Sequence, residues 1–317
     1  MLFTPFLAVS QDADSLTKKP ESFSLQSDSS NHAAVNKING AADEGVKMDA
    51  KVYFTLLAAD FKEQFTSPFR TKRKDWLKVG GFTFTLGAVA LANRPINRFA
   101  KNLHANNRGI ASASRYITDF GGLYEVYTLG GFFTYGLIFK SQKAKTTAML
   151  ATQSYIIAGA ISTAGKYLFA LQRPYYTDPI SNKSAPIFRG PFYAFKKAPN
   201  GEKLSSSDYS SFPSGHTTAA FAAATVYAME YKDKPLIPIL SYSAATLIGL
   251  SRLTENKHWP IDVVAGAMLG YLSGRQVVNN YHRYSKVRKH QKSAPKPVTF
   301  NLQYLNKQVV PGLVYNF

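Results

Sequence analysis

Six apolar segments, at about residues 79–93, 121–139, 148–171, 214–231, 235–251 and 261–274, leave this chain few folds to choose from. They are rich in Gly, Ala and Thr rather than in alternating β-branched residues, and several are as long as a helix needs to cross a bilayer. Small residues let helices approach closely, whether in lipid or in a compact soluble bundle. The segments therefore predict an all-α six-helix bundle, read as transmembrane. Glu125, Lys166 and His216 interrupt the apolar runs, and ionisable residues in such positions mark functional sites.

The flanks are of another kind. Residues 1–47 begin with a short apolar run that has the small-residue end of a secretory signal without its basic start. They continue through Ser, Asp, Asn and Ala, too poor in large apolar residues to offset the entropy of ordering, so a disordered leader is expected. Residues 48–78 hold an amphipathic helix with Val52, Leu56 and Phe61 at near-helical spacing, stopped at Pro68, and a basic linker from Arg70 to Lys78. The helical domain spans 79–280, and residues 281–317 read as a basic run followed by a β-like tail or small hairpin. Inside the domain, the polar, Tyr-rich loop from Pro174 to Phe212 is long enough to imply a function and is placed to gate a substrate.

Charge and cysteine content narrow the chemistry. Thirty-eight Lys and Arg against nineteen Asp and Glu give a net charge of +19, which asks for an anionic partner: nucleic acid, lipid headgroups or a phosphorylated substrate. With no cysteine, disulfides, zinc-thiolate sites and thiol nucleophiles are excluded.

Three stretches at the ends of apolar segments hold polar residues that such helices should not contain: Lys166 to Arg173-Pro174, Pro213-Ser214-Gly215-His216, and Ser251-Arg252 to His258 and Asp262. Lys166 and Arg173 are seven apart, two turns of a helix, so both cations are expected on one face. Ser214 reads as the N-cap of the next helix, whose free N–H groups and positive end form a phosphate site that Gly215 lets a ligand approach closely. His258 and Asp262 are four apart, with Pro260 in the first turn of the last helix, so the carboxylate can orient the imidazole and strengthen its free nitrogen as a nucleophile. Helices of alternating direction bring all three stretches to one end of the bundle. Tyr175, Tyr176 and Trp259 nearby read first as packing residues, with the substrate entrance as the alternative. His32, His104, His282 and His290 have no motif partner.

The pattern K-x6-RP, PSGH, S-R-x5-H-x3-D resembles the type 2 phosphatidic acid phosphatase superfamily, which also holds bacterial class A acid phosphatases and vanadium haloperoxidases, at every fixed position. The motifs cover Lys166 to Asp262, and the helix layout extends the likeness over roughly 79–275. The resemblance implies that His258 attacks phosphorus, that Asp262 orients it, and that His216 protonates the leaving oxygen and then activates water. Lys166, Arg173 and Arg252, with Ser214 and Gly215, would hold the phosphoryl oxygens. No metal or other cofactor is implied, since fixed cations and N–H groups can neutralise the transferring phosphoryl group.

The expected function is thus hydrolysis of a lipid phosphate or pyrophosphate monoester. A broad-specificity periplasmic acid phosphatase and a vanadate-dependent haloperoxidase are the alternatives. Partners are a lipid phosphate substrate and a membrane rather than nucleic acid. If six helices span, the basic segments 70–78, 140–145 and 283–296 share the cytoplasmic side. The site then faces the periplasm from a bacterial inner membrane; a basic loop at 94–115 and the possible leader leave a periplasmic or peripheral protein as the alternative.

Overall fold

The computed structural model describes residues 46–70, 72–177, 179–180, 184–293, 298–305 and 308–315. The expected leader lies almost wholly outside these, as do His32 and residues 294–297 of the basic run. The described residues hold nine α-helices: α1 (Ala50–Thr66), α2 (Trp76–Leu91), α3 (Asn93–Asn106), α4 (Arg108–Asp119), α5 (Glu125–Ile138), α6 (Gln142–Phe169), α7 (Gly215–Glu230), α8 (Leu236–Thr254) and α9 (Pro260–Ser293). A π-helical turn at Phe120–Tyr124 joins α4 to α5. The chain closes in a two-stranded antiparallel hairpin, β1 (Val298–Leu305) and β2 (Gln308–Tyr315), with Val298 opposite Tyr315.

Each of the six apolar segments falls mostly within helix, and the stretch 94–115, expected as a loop, is α3 and α4. Both dock through hydrogen bonds, which hydrophobic periodicity does not reveal. The buried face of α3 is Asn93, Asn97 and Ala100; Asn93 accepts from the Ile261 N–H at 3.0 Å, and Asn97 donates to the Asn256 side chain at 2.9 Å. In α4, Ser114 meets Thr254 at 2.7 Å and Thr118 donates to Ser251 at 3.0 Å. The last helix does not stop near residue 280 but carries the basic run on to Ser293, 34 residues in all.

The bundle's centre is the contact of α7 with α9. Gly266, Gly270 and Gly274 repeat every fourth residue along α9 and face the Ala- and Thr-rich α7. A methyl group at Gly266 would lie 2.8 Å from the Ser214 carbonyl oxygen and one at Gly274 2.5 Å from that of Ala222; at Gly270 the Thr218 carbonyl is closer still. Only hydrogen at Cα lets the two backbones come so near.

Helix α1 forms as the sequence predicts, with Asp49 capping it by accepting from the Val52 N–H at 2.8 Å. Val52 and Leu56 enter a core with Leu150, Ile157, Val226 and Val277, at the end of the bundle away from the motif residues. Asp60 follows them at the same four-residue spacing and is also buried. Its carboxylate accepts from Gln153 at 2.8 Å and from Asn280, and its carbonyl accepts from Gln276 at 3.0 Å. Burial, only partly offset by the Asn280 hydrogen bond, raises its pKa to about 6. Asp60→Ala strands the buried Gln153 amide and leaves Asn280 with Glu63 alone, and is expected to cost about 2 kcal/mol in unfolding measurements, whereas Asp49→Ala removes only an exposed cap, about 1 kcal/mol.

Much of the outer surface is apolar. Helix α2 buries none of its residues and exposes Leu77, Phe84 and Leu91. Helix α8 exposes Leu236, Ile239 and Leu240, and is the described helix that is both long and apolar enough to cross a membrane; α2 and most of α5 are apolar but shorter. The loop from Pro174 to Phe212 is less free than its length suggested, because its described part carries a core of its own. Tyr209 packs edge-on against Tyr193 and Tyr176, with centroids 5.1 Å and 5.6 Å apart, and Phe212 packs against Phe169 and Phe188.

Candidate active site

All three motif stretches meet at one end of the bundle. Helix α6 ends at Phe169, and Ala170, in the left-handed region at φ 42°, bonds its N–H to the Lys166 carbonyl at 3.0 Å and turns the chain away. Lys166 and Arg173 therefore do not share a helix face, as their spacing suggested. Arg173 returns through the loop instead, fixed by its own N–H to the Asp208 carbonyl at 2.8 Å and by its Nε to the Ser207 carbonyl at 2.8 Å. Its guanidinium also donates to the Lys257 carbonyl at 3.1 Å and stands 3.5 Å from Nε2 of His258.

Helix α8 ends by a related device. Asn256, at φ 57°, takes the left-handed conformation that Asn tolerates better than most residues. The Arg252 carbonyl then accepts from the N–H groups of both Lys257 and His258, at 3.1 and 3.3 Å. Buried Arg252 points its side chain to Glu255 at 3.0 Å and Thr118 at 3.1 Å, while its Nε has no hydrogen-bond partner among the described residues.

Asp262 organises the start of α9. One carboxylate oxygen accepts from the Trp259 N–H at 2.8 Å, which caps the helix behind Pro260. The same oxygen receives the Ser211 hydroxyl and lies 3.3 Å from Nδ1 of His258, leaving Nε2 on the side of Arg173. His258 is 2% exposed. Burial first, and then the nearby charges of Arg173, Arg252 and Lys166, hold its pKa well below the ordinary histidine value, so the imidazole is neutral at physiological pH.

Ser214 precedes α7 as the sequence predicts, and it is wholly buried. Its hydroxyl accepts from Thr217 at 2.9 Å, and its N–H donates to the Asp262 carbonyl at 3.0 Å. The first N–H groups of α7, at Gly215 and His216, form its anion-binding end, with the Ser214 hydroxyl still able to donate. At Gly215 a methyl group would sit 3.2 Å from the Lys166 ammonium. His216 looks across to Gly122 in the π-helical turn, where an added methyl would lie 3.6 Å from its Nε2.

Two contributors escaped the sequence motifs. Ser211 is wholly buried and reaches both Asp262 and, at 3.5 Å, Nδ1 of His258. Gln172 accepts the Trp259 indole N–H on its carbonyl at 2.7 Å, which seats the residue beside the histidine. Position near a motif was the available signal for each: Ser211 is three residues before Ser214, and Gln172 is next to Arg173.

A neutral, carboxylate-held imidazole thus lies with three cations and a helix N-terminus at one end of a helical bundle, an arrangement suited to a phosphoryl-type anion. Residues 147–286 match the PAP2 superfamily. The chain is 45% identical over 65 residues to the lipid A 1-phosphatase of Porphyromonas gingivalis, covering 20% of this chain and 15% of that one. It is 29% identical over 134 residues to the undecaprenyl-diphosphatase of Sulfolobus acidocaldarius, covering 42% and 54%. It thus spans about half the length of the second relative and far less of the first. The crystal structure of Aquifex aeolicus LpxE is similar over 59% of this chain and 95% of that one, at 22% identity and a TM-score of 0.42.

Proposed function

We propose that this protein is a metal-independent phosphatase that hydrolyses a lipid phosphate or diphosphate monoester through a phosphohistidine at His258. The observation that carries the reading is the His258 ring, bonded through Nδ1 to Asp262 with Nε2 turned to Arg173, the cation that would meet the phosphoryl oxygens. Nε2 attacks phosphorus as the bond to the leaving oxygen breaks, and His216 gives that oxygen its proton. His216 then takes a proton from water, whose oxygen attacks phosphorus and releases phosphate from His258. Lys166, Arg173, Arg252 and the N–H groups of Gly215 and His216 stabilise the equatorial oxygens, the role a metal ion fills elsewhere.

The lipid nature of the substrate is supported by relatives named for lipid A and undecaprenyl diphosphate, and by the apolar outer faces of α2 and α8. In this reading the catalytic domain is 79–280, its long helices lie in a bacterial inner membrane, and the site opens on the periplasmic side.

Purified protein in detergent, with EDTA present, is expected to release phosphate from phosphatidate or an isoprenoid diphosphate. A dependence on added divalent cation would sink the metal-free mechanism, and absence of release from every phosphate ester would sink the phosphatase. His216→Ala is expected to slow alkyl phosphates by about 10²–10⁴-fold and p-nitrophenyl phosphate far less, because a general acid matters most when the leaving oxygen is basic. Equal slowing of both would remove His216 from that role.

A further inference from the structure

The neighbours of the His258 ring assign its proton from both ends. At Nε2 the neighbour is the Arg173 guanidinium, 3.5 Å away, which donates and cannot accept, so that nitrogen presents its lone pair. At Nδ1 there are two neighbours, the Asp262 carboxylate at 3.3 Å and the Ser211 hydroxyl at 3.5 Å. The single hydroxyl proton of Ser211 goes to the carboxylate, so its oxygen turns lone pairs to the ring. Nδ1–H therefore lies between two acceptors, which sets the tautomer. Ser211 is wholly buried, and its main chain is fixed separately, through its N–H to the Leu171 carbonyl at 3.1 Å. Its hydroxyl is thus not needed to hold the loop in place.

We infer that Ser211 is a positioning residue for the nucleophile: its hydroxyl fixes the Asp262 carboxylate and gives the Nδ1–H of His258 a second acceptor. The inference rests on the phosphatase reading. A carboxylate held by one hydrogen bond can still turn about its Cβ–Cγ bond, because that torsion is broad. The Trp259 N–H, at 2.8 Å, is the one bond that the head of α9 supplies. Ser211 adds a second donor to the same oxygen from the other stretch of chain, and the pair leaves the carboxylate a single setting. The remaining oxygen, Oδ1, is buried with no hydrogen-bond partner among the described residues, so Ser211 and Trp259 together decide which oxygen meets Nδ1. The arrangement matters most after attack. When Nε2 bonds to phosphorus and the bond to the leaving oxygen breaks, the ring becomes cationic, and its Nδ1–H already faces a carboxylate and a hydroxyl oxygen.

The test uses the phosphate ester that wild-type protein hydrolyses fastest. Ser211→Ala should lower kcat about 10- to 100-fold, the loss expected when a hydrogen bond to a charged group is removed. KM should move less than about threefold, because the cations that meet the phosphate are untouched. Ser211→Cys keeps the side chain close to its size but donates weakly, so it should lose kcat at an unchanged melting midpoint, which separates positioning from folding. In an Asp262→Asn background, Ser211→Ala should cost less than about threefold, because the carboxylate it positions is gone. Nitrogen NMR of His258 gives a readout apart from activity: the wild-type ring should show one protonated and one unprotonated nitrogen, and Ser211→Ala should draw the two signals together as the tautomers mix. Wild-type kcat in both Ser211 variants, or losses that multiply in the double variant, would overturn the positioning role while leaving the phosphatase standing. No release from any phosphate ester by wild-type protein would overturn both together.

Discussion

Replacing His258 by alanine is expected to lower phosphate release by at least about 10⁴-fold, the scale on which removal of a covalent nucleophile acts. Its charged neighbours cannot take its place: Arg173, Arg252 and Lys166 are cations, and Asp262 is turned toward the Trp259 N–H and Ser211. The variant should also answer a structural question. Because the folded protein holds His258 neutral while the unfolded chain protonates it near 6.5, the unfolded state binds the extra proton and stability falls as pH drops below about 6.5. One such group contributes a slope of about 1.4 kcal/mol per pH unit down to its folded pKa. His258→Ala should lose activity at every pH and lose that part of the acid sensitivity as well. Residual turnover near wild type would remove the phosphohistidine; an unchanged acid slope would mean that the ring is not held neutral.

The second large effect is expected at Gly270, far from any reacting atom. Valine there would drive its side chain into the Thr218 carbonyl and toward the Ala222 N–H, 2.9 Å from the new Cβ. Backbone atoms cannot swing aside as a flexible side chain can, so α7 and α9 must separate along their length. A cost of at least about 3 kcal/mol, or a fall in Tm of at least about 6 °C, should follow in thermal unfolding, with activity lost because His216 and Asp262 ride on the two displaced helices. Gly87→Val on α2 is the control: a Cβ there meets nothing within 4 Å, and its melt should match wild type closely. Equal melts for the two variants would show that the glycine seam does not set the helix spacing.

What the sequence reveals here depends on how each residue is bonded. Lys166, Arg173, His216, Arg252, His258 and Asp262 stand out because each is a polar group at the edge of an apolar run, where burial demands a reason. The six apolar segments are visible for the same cause. Helices α3 and α4 are not, because Asn93, Asn97, Ser114 and Thr118 hold them to the bundle by hydrogen bonds and look from sequence like a polar loop. Asp60 hides differently: an acidic residue in an amphipathic helix suggests solvent, yet its place in the series Val52, Leu56, Asp60 puts it on the buried stripe. Arg173 shows the limit of spacing arguments. Seven residues match two helical turns, but left-handed Ala170 ends the helix and the loop brings the side chain back.

Asp262 joins more than its histidine. Its carbonyl takes the Ser214 N–H at the head of α7, and its carboxylate takes Ser211 from the loop, Trp259 at the head of α9, and His258. Two stretches of chain, 211–214 and 258–262, are tied together at one residue, so the site has no slack that heat could release by itself. Half-inactivation temperature and melting midpoint should therefore coincide, with no interval in which the protein is folded but already inert.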